Sequence, residues 1–209
     1  LKSNLTALKR YYVTIISAVS IISFPIFIGV ILTAEYFVPL IFGQEWSLSI
    51  EVFQLLAIPV IVEVLSAGIT SSLLYSQNKT FLAFNIDLVF AIGYVTLIAF
   101  LNNGQLINII FLYGFYMIFR FIVSQYFVGK ILSLTFKDYV DIFKESFIST
   151  GIMTVVLLLI KPFIINFSEL VILVILIIIG ALVYISSNFI LNKEKTLNLI
   201  SLLKGIVKR

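Results

Sequence analysis

From Leu170 to Leu191 the chain runs for 22 residues without one charged side chain, through VILVILIIIG. A hydrocarbon core about 30 Å thick needs roughly 20 largely apolar residues to cross it as a helix, so this run is long enough to span a bilayer. Five more stretches qualify: about Tyr11–Thr33, Val52–Tyr75, Phe81–Leu101, Leu106–Val128 and Phe147–Phe167, the fifth read as interrupted near Lys161-Pro162. Barrel strands would alternate apolar and polar residues over about 10 positions. These runs are continuous and too long for that, so they predict helices whose backbones satisfy themselves within the bilayer. The expected fold is an all-α integral membrane protein with six transmembrane helices.

Composition agrees. Of 209 residues, 61% are hydrophobic and 11% charged, and the mean hydropathy is +1.18. A soluble domain is about 25% charged and could not hide so much apolar surface. With no Cys, disulfides and thiolate metal sites are excluded; with no His, the usual near-neutral base and commonest zinc ligand are missing. The first residue is Leu rather than Met, which suggests a piece of a longer chain, and no cleavable signal peptide is visible.

Orientation follows from Lys and Arg, which favour the cytoplasmic side. With the N-terminus inside, the inner segments hold 12 of the 14: Lys2, Lys9, Arg10, Lys79, Lys130, Lys137, Lys144, Lys193, Lys195, Lys204, Lys208 and Arg209. Lys161 is outside and Arg120 lies within a span. Both termini are therefore expected in the cytoplasm, and the net charge of +4 reads as a topology signal, not as nucleic-acid binding. The outer segment 34–51 reads as a helix end and an interfacial turn, with Trp46 at headgroup level. Segment 129–146 and the tail from Asn192 to Arg209 read as amphipathic helices on the inner leaflet.

Three ionisable residues fall within spans: Glu63, Asp87 and Arg120. Facing lipid, each would cost several kcal/mol, so each should face protein or a water-filled cavity. At about 1.5 Å per residue, Asp87 and Arg120 lie at similar depth on antiparallel neighbours, roughly 10 Å inside the inner boundary, and are expected to pair or share a pocket. Two readings stay open. One is a structural ion pair or a snorkelling Arg. The other is a substrate or ion pathway, in which Arg120 meets an anionic headgroup and Glu63 or Asp87 holds Na⁺ or H⁺. Pro25 and Pro59 are hinge candidates, although membrane helices tolerate Pro generally. No metal site or catalytic residue is expected.

From Phe24 to Tyr94 a series of features stands in order: Pro25 and Gly29 within a helix, Ala34-Glu35, Phe42-Gly43-x-x-Trp46, then a small-residue-rich helix end and polar loop from Ser66 to Thr80. In this order the sequence resembles the second half of bacterial polysaccharide or O-antigen flippases (Wzx-type), of the multidrug/oligosaccharidyl-lipid/polysaccharide, MATE-like exporter superfamily. The resemblance implies that residues 1–128 are four helices of a C-terminal transporter lobe. Residues 129–209 would be an amphipathic linker, two additional transmembrane helices and a basic cytoplasmic tail. It implies a non-enzymatic flippase of the bacterial cytoplasmic membrane that moves undecaprenyl-pyrophosphate-linked oligosaccharide by alternating access, for lipopolysaccharide or other surface polysaccharide. The implied partners are the lipid-linked oligosaccharide, membrane lipids and an N-terminal lobe of the same chain. No cofactor is implied beyond Na⁺ or H⁺ as coupling ion. The alternatives are a drug/cation antiporter of the same superfamily and a membrane polysaccharide polymerase, for which the outer segment offers only Glu35, Glu45 and Glu51.

Overall fold

A computed structural model describes residues 2–102 and 104–191. Six helices follow one another: α1 (Lys2–Phe42), α2 (Ser49–Ser76), α3 (Thr80–Leu101), α4 (Leu106–Leu132), α5 (Phe136–Ile164) and α6 (Glu169–Leu191), with a single 3₁₀ turn, Gln44–Trp46, after α1. All six are long and apolar enough to cross a membrane, and no strand occurs among the described residues. The all-α membrane architecture and the six spans stand. The tail from Asn192 to Arg209 lies outside the described residues.

Two boundaries differ from expectation. α1 continues through Ala34 and Pro39 and stops at Phe42, where Gly43 takes φ +99° and its N–H closes on the Pro39 carbonyl at 3.0 Å. A left-handed φ is strained for any residue with a Cβ, which places the stop at glycine. Trp46 then sits in the turn as anticipated. Segment 129–146 does not form a separate surface helix. α4 runs to Leu132, Ser133 turns the chain at φ +52°, and α5 starts at Phe136 and continues into the span without a break. A capping box fixes that start: the Thr135 N–H donates to Asp138 Oδ2 at 2.7 Å, and Thr135 Oγ1 accepts from the Asp138 N–H. No Gly or Pro follows until Gly151, so nothing stops the helix. Nor is α5 interrupted at Lys161-Pro162; it ends two residues later, because a Pro in the last turn forfeits a single bond.

α1 is the spine, packing on α2, α4, α5 and α6, whereas α3 packs on α4 and α2. Toward the N-terminal end of α1, Tyr12 and Ile16 meet Ile61, Leu65 and Leu73 of α2, Val128 and Leu132 of α4, and Ile142 of α5. Toward its C-terminal end, Leu32 meets Met153 and Leu157 of α5 and Leu176 of α6. Gly180 lets α6 approach closely, since a Cβ there would stand 3.2 Å from Leu157 Cδ1.

α1 and α5 lie parallel and in register. Lys9 pairs with Asp138 at 3.1 Å near the N-terminal ends of both helices, the hydroxyls of Ser20 and Ser146 meet at 3.0 Å, and Lys161 pairs with Glu35 at 2.7 Å near their C-terminal ends. Lys161 also stands 5.4 Å over the Tyr36 ring. Twenty-six residues separate Lys9 from Glu35, about 39 Å of helix, so the two pairs bracket a hydrocarbon core of about 30 Å. This fixes a depth scale with its midplane near Ile22 in α1 and near Ser149 in α5.

Pro25 lacks an N–H and therefore leaves the Ile21 carbonyl without its helical donor. Tyr184 of α6 supplies one, its hydroxyl reaching Ile21 O at 2.6 Å. The proline is thus clamped to a neighbouring helix, which favours a fixed backbone over a free hinge. Tyr184→Phe is expected to destabilise the protein by about 1–2 kcal/mol through the orphaned carbonyl, read by unfolding in mild detergent. Reversing one charge at Glu35 or Lys161 is expected to cost about 1 kcal/mol at these half-exposed ends, and the double swap to restore it.

Candidate functional site

The expected pair forms. Arg120 Nη2 of α4 donates to Asp87 Oδ1 of α3 at 2.6 Å. The depth scale locates it. Tyr12, three residues beyond Lys9, donates to Gln125 Oε1 at 2.7 Å, and Gln125 Nε2 reaches Thr70 Oγ1 at 3.5 Å, so on this scale these three stand at the hydrocarbon boundary on the Lys9 side. Arg120 lies five residues further along α4, about 7 Å deeper. Glu63 lies seven residues beyond Thr70 on α2, about 10 Å deeper.

The pair is unequally covered: 13% of the Arg120 side chain is exposed, against 45% of Asp87. The difference decides what the site can do. The guanidinium is packed between helices, and its Nε has no partner among the described residues. The carboxylate has one edge open on the α3 surface. Half-exposed to lipid at this depth, it would lack hydration for its charge, so that surface requires protein or water against it.

Glu63 does not join the pair directly. Its Oε2 accepts from the Tyr113 hydroxyl of α4 at 2.9 Å. Tyr116, one turn from Tyr113 and one from Arg120, lies within electrostatic range of Arg120, Asp87 and Glu63 together. Tyr94 of α3 completes a cluster, with ring centroids 4.8 Å from Tyr116 and 5.7 Å from Tyr113. Phe90 and Phe119 extend it toward the inner side. Three polar aromatic rings thus bridge an ion pair and an acid on the wall formed by α2, α3 and α4.

Behind the pair is a gap of about 10 Å³, lined by Ser66, Thr70, Ser71, Asp87, Arg120 and Ser124. That is room for about one water, not for a phosphate or a sugar. A ligand of that size would have to approach from the open side of Asp87 and the tyrosines. Among the described residues no cluster of acids could hold a metal ion. Pro59 lies buried in α2, one turn from Glu63.

Sequence reasoning paired Asp87 with Arg120 and set Glu63 apart, nearer mid-membrane, and the structure gives Glu63 the Tyr113 hydroxyl as its partner. That reasoning passed over Tyr94, Tyr113 and Tyr116. The spacing of 113 and 116, one turn apart on the Arg120 face, was the available signal. The Glu35–Lys161 pair was also legible, since both residues lie near the ends of spans that run in the same direction.

Residues 1–51 match the family described as polysaccharide biosynthesis protein. The chain is 22% identical over 152 residues to the teichuronic acid biosynthesis protein TuaB of Bacillus subtilis (strain 168), covering 72% of this chain and 31% of that one. It is 29% identical over 188 residues to an uncharacterized membrane protein in the cps region of Klebsiella pneumoniae, covering 88% of this chain and 38% of that one. The chain therefore spans about a third of the length of these relatives. No solved structure matches it. The resemblance to polysaccharide-biosynthesis membrane proteins is borne out.

Removing either partner of the Asp87–Arg120 pair is expected to cost about 2–3 kcal/mol, because it leaves one charge within the span. The neutral double variant Asp87→Asn, Arg120→Gln is expected to recover most of that loss in the same unfolding assay.

Proposed function

We propose that this chain is the C-terminal part of a flippase that moves a polyprenyl-pyrophosphate-linked oligosaccharide from the inner to the outer leaflet of the bacterial cytoplasmic membrane. The observation that carries the reading is the polar-aromatic wall, seen in a chain similar to polysaccharide-biosynthesis membrane proteins. Such a substrate joins sugars and an anionic pyrophosphate to an apolar tail. Its head needs a polar surface inside the membrane and its tail needs none. Tyrosine rings can stack on the apolar faces of sugars while their hydroxyls bond sugar oxygens. Arg120 can offer a second edge of its guanidinium to a phosphate while one nitrogen stays on Asp87.

In this reading Asp87 holds Arg120 in position and cancels its charge when no substrate is bound. Glu63, deeper and bonded to Tyr113, is the group that would take up Na⁺ or H⁺ as the cavity changes sides. The remaining wall of the cavity belongs to the N-terminal lobe expected from the family resemblance. With both ends of the six-helix segment inside, the pocket is loaded from the leaflet where lipid-linked sugars are assembled.

The test is genetic and chemical. Deleting the full-length gene is expected to trap lipid-linked oligosaccharide on the inner leaflet and to abolish surface polysaccharide. Complementation with Arg120→Ala, expressed at the normal level, is expected to restore less than about a tenth of it, the loss of one charge-assisted bidentate contact. Normal polysaccharide after deletion, in a strain without a second flippase, sinks this reading and favours a drug/cation antiporter. This chain has no Cys, so orientation can be read once any Cys elsewhere in the full-length protein is replaced. A single Cys at Lys79 should label from the cytoplasm and one at Gly104 from outside.

A further inference from the structure

α4 and α5 are joined by the short turn at Ser133–Thr135, yet they diverge: α4 packs on α2 and α5 on α1. Large side chains bridge the gap. Tyr139 of α5 donates its hydroxyl to the Gln125 carbonyl of α4 at 2.9 Å, and Phe121 and Phe143 meet with centroids 6.5 Å apart. The result is an open groove whose inner stretch lies between the two helices and whose deeper stretch continues between α5, α2 and α1, with Phe121 as its contribution from α4. Its inner stretch has a volume of about 870 Å³ and its deeper stretch about 520 Å³, and both stretches share Phe121 and Phe143.

Two observations specify what fits it. The first is length. The inner stretch begins beside Lys130 and Phe136, at headgroup level on the depth scale, since Lys130 is five residues to the cytoplasmic side of Gln125. The deeper stretch ends at Gly151 and Thr154, just past the midplane. The groove therefore covers one leaflet, about half of a bilayer that is 40–45 Å thick with its headgroups. The second is charge. Lys130 is exposed on the lip of the inner stretch, and among the described residues no acid lines either stretch. Asp138, in the same turn as Tyr139, is taken by Lys9 and by the Thr135 N–H. Below the lip the walls are aromatic, with Phe24 against both Phe143 and Phe147.

We infer that the α4–α5 groove is a binding site for an inner-leaflet phospholipid with an anionic headgroup, its phosphate at Lys130 and an acyl chain laid over Phe121 and Phe143. The lipid fills the space that α4 and α5 leave between them and couples the two helices. This site is separate from the polar wall at Asp87 and Arg120 and does not depend on the flippase reading.

The test places the photoreactive residue p-benzoyl-phenylalanine at Val140 or at Ile122, both exposed on the groove, in the full-length protein in its native membrane. The control position is Val89, exposed on α3. Mass spectrometry identifies the adducts. The expected result is a lipid adduct at both groove positions, enriched about fivefold in anionic phospholipid over the control and returned to the control mixture by Lys130→Gln. A lipid mixture equal to that at Val89 overturns the inference, as does enrichment that survives Lys130→Gln. A polyprenyl adduct overturns it in favour of a tail site for the transported lipid. A peptide adduct overturns it in favour of another segment of the protein.

Discussion

Within a bilayer no water is at hand to satisfy a stray carbonyl or charge, so each one that the sequence places there must find its partner in the protein. The fold is organised around such settlements. Pro25 frees the Ile21 carbonyl and Tyr184 takes it, which ties α6 to α1. Arg120 would not be tolerated alone on α4, and Asp87 ties α3 to it. Tyr12, Gln125 and Thr70 close a chain across α1, α4 and α2. Association by apolar burial counts for little where the solvent is itself apolar. The polar contacts therefore select which helix faces meet, and close packing, as at Gly180 against Leu157, completes the interface.

These contacts fall into two groups with α1 between them. On one side α2, α3 and α4 carry the ion pair, Glu63 and the three tyrosines. On the other, α5 and α6 carry serine and threonine hydroxyls and aliphatic packing, with nothing ionised at mid-depth. The ionisable side chains of mid-depth all belong to the first group. The second group backs it, fastened along the full length of the spine by Lys9–Asp138, Ser20–Ser146 and Glu35–Lys161. A displacement of α1 must therefore carry α5 with it.

The spans were legible because lipid imposes a length and a composition that the sequence displays openly. The Asp87–Arg120 pair was legible because helical rise converts residue number into depth, and equal depth on adjacent antiparallel helices leaves few alternatives. The course of segment 129–146 was not. Its mixture of Lys, Asp and apolar residues suits a helix lying on a surface as well as one rising against a neighbour. What decides is distant in sequence: Ile142 packs against Tyr12 and Ile16 of α1, and Tyr139 bonds the Gln125 carbonyl of α4. The tyrosine wall was obscured for a related reason: its members come from α3 and α4, and only their juxtaposition distinguishes them from ordinary interfacial aromatics. The role of Tyr184 needed the position of α6 over Pro25, which no local pattern encodes.

The two ion pairs of α1 and α5 also act as a caliper. They stand about 39 Å apart along the spine, a few ångströms outside a hydrocarbon core of ordinary thickness. Neither can slide, because each is anchored in two helices at once. A bilayer thicker by about 10 Å would draw both pairs into oil and would have to thin locally around the protein or tilt its helices, at a cost of fractions of a kcal/mol per ångström. The spine thus matches the chain to membranes of one thickness through four charged side chains, Lys9, Glu35, Asp138 and Lys161.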